Sequence, residues 1–177
     1  MATMLNTGLR SEQNVEVHKF YSGSALVVSF LALVLQAFFH KYGRIGDLVD
    51  VPLLVVIYFS VSRRNPATGL LLGAAIGIFQ DALSHDNPIG LYGIAKTLVG
   101  YLASTVGARL DTEHPVARFI LTFLFFHFHQ VVLAIMERVL LNEHIPLFTL
   151  RLLIDSLVSA GVAVVLFALL DRLRRPS

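Results

Sequence analysis

The chain reads as six apolar runs, 24–40, 48–61, 67–83, 89–108, 117–141 and 146–170, separated only by short connections. A helix needs about 20 apolar residues to cross a bilayer, and inside lipid its backbone polar groups must be bonded within the segment. Runs of this length and number predict an all-α membrane protein. The expected architecture is a six-helix transmembrane bundle over residues 22–177, preceded by a polar tail at 1–21. Turn residues mark the connections: Tyr42-Gly43, Asn65-Pro66, Asp86-Asn87-Pro88, Asp111 to Pro115, and Asn142 to Pro146. The second run is short and opens on Asp50 and Pro52; proline is tolerated in a first helical turn because its missing N–H would be unpaired there anyway. No small-x-small cleavage site follows the first run, so that run is expected to stay as a helix.

Composition bears on what such a bundle can do. Hydrophobic residues make up 55% of the chain and charged residues 15%, against about 25% charged in soluble domains. The apolar surplus exceeds what one core can hold and must face lipid. The net charge is only +2 and the basic residues sit in connections and at the ends, which argues against a nucleic-acid surface. With no cysteine, disulfides and thiolate chemistry are excluded. His127 and His129 are two apart and point to different sides of a helix, and no His-Glu-x-x-His motif is present. No Gly-x-Ser-x-Gly motif occurs, and Ser156 and Ser159 have no histidine at matching depth. No enzyme, cofactor or metal is expected.

Orientation follows from lysine and arginine near the helix ends. With six spans, Arg10, Lys19, Arg63, Arg64, Arg109, Arg118, Arg172, Arg174 and Arg175 fall on one side. That side is expected to be cytoplasmic, with both termini on it, and the 84–88 connection to face outward. Charged groups in a span are costly and usually face protein or a cavity. Asp50, Asp81, Lys96, Arg138, Arg151 and Asp155, together with Glu137, all fall in the outer halves of their helices on this topology. They predict a mutually paired polar cluster opening outward, with an Asp81–Lys96 pair within it; the alternative is that each group, Arg151 and Glu137 above all, snorkels to the interface. Arg151, Asp155 and Ser159 share one helical face, and His127, Gln130, Ala134 and Arg138 another.

Glycines define a second feature. Gly69, Gly73 and Gly77 recur every four residues, with Asp81 next on the same line, and Gly93, Gly100 and Gly107 recur every seven. Small residues at such spacing let helix backbones approach closely in lipid. They predict tight packing of the third and fourth helices, with contact to a partner's helix as the alternative.

Several of these residues resemble a known pattern. It comprises Asp50-Val-Pro-Leu-Leu-Val-Val-Ile-Tyr58, Arg63-Arg64-Asn-Pro, and the glycine line ending in Gly77-Ile-Phe-Gln80-Asp81. It continues with Ile89-Gly90-Leu91-Tyr92-Gly93 and Gly100-Tyr101-Leu102. In this order they resemble the MreD family of bacterial rod shape-determining membrane proteins. The resemblance implies a multi-pass protein of the bacterial cytoplasmic membrane. It also implies a fold similar to the substrate-binding components of energy-coupling-factor vitamin transporters. The implied function is a non-enzymatic scaffold of the cell-elongation machinery. Its implied partner is a bitopic MreC-type protein, and through it MreB filaments and peptidoglycan synthases. The alternative is a vitamin-like solute-binding component of a transporter, which would need a cavity of about 300 Å³ or more at the polar cluster.

Overall fold

The computed structural model describes residues 23–40, 48–84, 90–110, 112, 114–141 and 149–172. The polar tail at 1–21, most of the 84–88 connection and the start of the sixth run lie outside the described residues. Among the described residues are six helices and no strand: α1 (Ser24–His40), α2 (Val51–Arg63), α3 (Pro66–Leu83), α4 (Leu91–Gly107), α5 (Pro115–Leu141) and α6 (Leu150–Asp171).

Capping sets the helix starts. The first N–H groups of a helix have no partner within it, and a side-chain oxygen just before the helix supplies one. Asp50 Oδ1 accepts from Leu53 N at 2.9 Å, so α2 starts at Val51 rather than at the first apolar residue, Leu48. Asn65 Oδ1 accepts from Ala67 N at 3.0 Å and Thr68 N at 3.4 Å, with Pro66 opening α3. Thr149 Oγ1 accepts from Leu152 N at 3.1 Å and opens α6. At the other end of α2, Arg64 turns left-handed (φ 54°) and its N–H bonds Ser60 O at 3.2 Å, which closes the helix.

Successive helices run in opposite directions. Val61 of α2 meets Gly107 of α4, while Asp50 of α2 meets Lys96 of α4, so these two helices run parallel. Ser159 of α6 bonds Leu48 O, and Asp171 bonds Tyr58, so α6 runs the same way. Two ends result. One carries Arg63, Arg64, Arg109, Arg118 and Arg172; the other carries Asp50, Asp81 and the start of α4.

α3 and α4 form the most intimate pair, α2 packs on α4, α3 and α1, and α5 and α6 pack mainly on each other. α2 is central: every residue from Pro52 to Ser62 is buried. Its 13 residues reach about 20 Å, short of the roughly 30 Å of bilayer hydrocarbon, but its walls are protein. The outer helices carry the apolar surplus, with Leu26 and Phe30 on α1, Leu71 and Phe79 on α3, and Val165 on α6 all exposed. Three helices, α3, α5 and α6, are long and apolar enough to cross a membrane, and α1 and α2 are shorter apolar helices.

Candidate functional site

The glycine line places α3 directly on α4. A Cβ at Gly69 would lie 2.3 Å from Gly100 O, one at Gly73 2.1 Å from Lys96 O, and one at Gly77 2.4 Å from Tyr92 O. Real Cβ atoms do not approach backbone so closely, so only glycine fits. The contact is reciprocal, because a Cβ at Gly100 would meet Gly69 O at 2.2 Å. Gly107 does the same on α2, 2.5 Å from Val61 O. Gly93 is looser, with its nearest neighbours, Asp81 Oδ2 and Ile78 Cγ1, at 3.3 Å. The α3 stripe therefore faces α4, and it offers no open surface to another helix.

At one end of this hairpin, Asp81 closes the turn. α4 begins at Gly90, whose positive φ of 115° is a glycine conformation and which has no side chain to cap with. The Asp81 carboxylate, from the end of α3, supplies the cap instead. It accepts from Gly90 N at 3.0 Å, Tyr92 N at 3.0 Å and Gly93 N at 2.8 Å. Three otherwise orphaned donors are satisfied and a negative charge meets the positive end of a helix dipole. Asp81 is almost fully buried.

Lys96 therefore pairs elsewhere. Side chains on a helix lean toward its N-terminus, and Lys96 Nζ reaches back to donate to Asp50 Oδ2, across 46 residues of sequence. The expected Asp81–Lys96 pair is replaced by an Asp50–Lys96 pair. Asp50 thus does two things: Oδ1 caps α2 and Oδ2 takes the ammonium. Lys96 is fully buried, and its Nζ also lies 5.6 Å from the centre of the Tyr92 ring. Burying two charges is costly, and removing either partner would strand the other.

His129 of α5 joins this group. It stacks on Tyr92, whose ring also lies near Lys96 Nζ, with ring centres 6.1 Å apart. It is buried, and neither ring nitrogen has a hydrogen-bond partner among the described residues. His129 faces inward on the same side of α5 as Thr122, Phe125, Phe126 and Leu133. Because α5 is apolar all round, no hydrophobic periodicity in the sequence singles this face out.

Two of the remaining charged residues, Arg138 on α5 and Arg151 on α6, are exposed. Arg151 is 64% exposed and lies 3.7 Å from Asp155, one helical turn on. Ser159 points inward and donates to Leu48 O at 3.1 Å. No group of three His, Asp or Glu side chains that could hold a metal ion occurs among the described residues.

The arginine end has a polar network the sequence did not reveal. Arg118, in the first turn of α5, donates through Nη1 to Asp171 Oδ2 at 2.6 Å and through Nε to Thr112 O at 2.9 Å. Tyr58 Oη donates to Asp171 Oδ1 at 2.9 Å. One carboxylate thereby ties α2, α5 and α6. The partners lie 53 and 113 residues apart in the chain, too far for any local spacing to signal. Beside the network lies a small hollow between α2, α5 and α6, with a cavity volume of about 20 Å³.

A family model described as "rod shape-determining protein MreD" matches residues 18–173. No curated protein and no solved structure matches the chain significantly.

Proposed function

The chain belongs to the MreD family of rod shape-determining proteins, and from that premise we propose that it is a non-enzymatic scaffold of the cell-elongation machinery. In this reading it sits in the bacterial cytoplasmic membrane as a multi-pass protein, all six helices contributing to the transmembrane bundle. Both termini are cytoplasmic, in keeping with the arginines gathered at one end. It binds the membrane segment of an MreC-type bitopic protein, and through it serves MreB filaments and peptidoglycan synthases. We extend the proposal to the fold, which we take to be similar to that of the substrate-binding components of energy-coupling-factor transporters.

The observation that carries the scaffold reading is how the buried charges are used. Asp50 and Lys96 hold each other, Asp81 caps α4, and Arg118 holds Asp171. Each bonds a neighbouring helix, which is what a rigid platform requires. The solute-binding alternative would need Asp50, Asp81 and Lys96 to line a cavity, whereas Lys96 is fully buried and Asp81 almost so. The glycine stripe is taken up by α4, so a partner helix meets one of the exposed apolar faces instead, and of these we propose those of α1 and α6.

The test is purification of the full chain with an MreC-type protein in nanodiscs, followed by mass analysis. The scaffold reading expects a stoichiometric single-span partner, lost when Phe30 of α1 or Val165 of α6 is replaced by Arg. Recovery of the chain with a tightly held small molecule and no protein partner would overturn it.

A further inference from the structure

The two helical hairpins differ in length. α3 and α4 have 18 and 17 residues, α5 and α6 have 27 and 22. At the arginine end the bundle is nearly flush: Val61 of α2 meets Gly107 of α4, and Asp171 at the end of α6 bonds Tyr58 of α2 and Arg118 in the first turn of α5. At the other end it is not. His129 stacks on Tyr92, the second residue of α4, and from there α5 runs on to Leu141, about 18 Å of further helix. Ser159 bonds Leu48 O just ahead of α2, and α6 extends back from there to Leu150, about 13 Å. α3, by contrast, stops at Leu83, two residues past the Asp81 that caps α4.

The exposed apolar surface follows the same division. On α3 it runs from Leu70 to Leu83, about 20 Å. Both limits are fixed by polar residues: Arg63, Arg64 and the capping Asn65 precede the helix, and Ser84 follows it. On α4 it runs only from Ile94 to Tyr101. On α5 it runs from Val116 to Ile135, about 28 Å, before the exposed Arg138 interrupts it, and on α6 from Leu153 to Leu169, about 24 Å. Bilayer hydrocarbon is about 30 Å thick, so α5 nearly matches it and α3 falls roughly 10 Å short. α3 cannot tilt or slide to make up the difference, because its glycines hold it backbone to backbone on α4. Lipid beside a short apolar stretch thins to meet it.

We propose that the bilayer is thinner beside the α3–α4 hairpin than beside α5–α6, and that the α3 face is a surface for phospholipids of short acyl chain. The step lies on the side away from the arginines, where the two hairpins end at different levels. The inference rests on the transmembrane reading of the bundle. It does not rest on the partner, because neither α3 nor α5 carries a face assigned to it.

The chain has no tryptophan, so a single one placed on a lipid-facing position serves as a reporter. Leu71→Trp on α3 and Leu124→Trp on α5 replace exposed apolar residues. Leu71 lies six residues from Gly77, which meets Tyr92, and Leu124 lies five from His129, which stacks on Tyr92, so the two sit at similar depth. The full chain is reconstituted alone in mixtures of short-chain (dimyristoleoyl) and long-chain (dierucoyl) phosphatidylcholine, with one or the other brominated. Quenching of the tryptophan fluorescence then gives the relative affinity of the two lipids at each reporter. Leu71→Trp should favour the short-chain lipid about threefold or more, and Leu124→Trp should show no such preference or the opposite one. The same chain-length preference at both reporters would overturn the proposal. So would a Leu71→Trp that neither brominated lipid quenches while Leu124→Trp is quenched, because protein rather than lipid then covers α3. Absence of quenching at both would overturn the transmembrane reading together with the proposal.

Discussion

α3 meets α4 by backbone; α5 and α6 meet the rest of the bundle by side chain. At the first joint five glycines, Gly69, Gly73, Gly77, Gly93 and Gly100, bring two helices together over nearly their whole length. At the second, separate anchors hold: His129 on Tyr92, Ser159 on Leu48, Arg118 and Tyr58 on Asp171. In lipid there is no hydrophobic force between helices, so contact area and polar bonds must hold them. The α3–α4 joint relies on area, and area tolerates no added atom. The joint of α5 and α6 with the rest relies on separate side-chain contacts, which can be removed one at a time.

The joint made by area should fail outright. Gly73→Leu forces the two helices apart, a penalty at or beyond the roughly 1–3 kcal/mol usual for overpacked cores. Loss of monodisperse protein on size-exclusion chromatography is the expected result, and a well-behaved Gly73→Leu protein would break the comparison. Next comes the buried pair. Lys96→Met strands the Asp50 carboxylate and should cost about 3–5 kcal/mol, most of it regained when Asp50→Asn is added. Thermal unfolding by circular dichroism measures both, and a double variant no better than the single would show that the two side chains act separately.

Smaller effects sharpen the contrast. Asp81→Ala leaves three N–H groups at the start of α4 without their acceptor and should cost roughly 1–3 kcal/mol. Hydrogen exchange should then rise at Gly90 to Gly93 and stay low in the middle of α4. Tyr58→Phe removes one anchor of the second joint and should cost about 1 kcal/mol. A cost several times larger would make that joint as brittle as the first. Gly161→Ala, where an added Cβ meets nothing within 4 Å, should be neutral or stabilising by up to about 1 kcal/mol. Its melting temperature set against that of Gly73→Leu separates glycines that pack from glycines that do not.

Much of the helical framework was legible. The six apolar runs lie within a few residues of the six helices, because caps such as Asp50 and Asn65 and the prolines after them are local signals. The four-residue glycine spacing marked one face of α3, since helical period alone decides which residues share a face. Pairing was harder to read. Spacing says that Asp81 and Lys96 each face protein, but not that Asp50 lies closer to Lys96. The cue for Asp81 was present: a helix opening on Gly90 has no capping side chain of its own, and the previous helix ends in a carboxylate. For Arg118 and Asp171 there was no such cue. Both sit at helix ends, where a charge can simply reach water, so sequence gave no reason to join them.

The burial of α2 bears on how the chain is made. A segment of 13 residues has too little apolar length to be held by lipid alone, yet it leaves the ribosome before the two helices that enclose most of it. Its stable seating must wait until α3 and α4 have closed beside it. The glycine joint then acts in time as well as in space: until it forms, the centre of the protein has only α1 beside it.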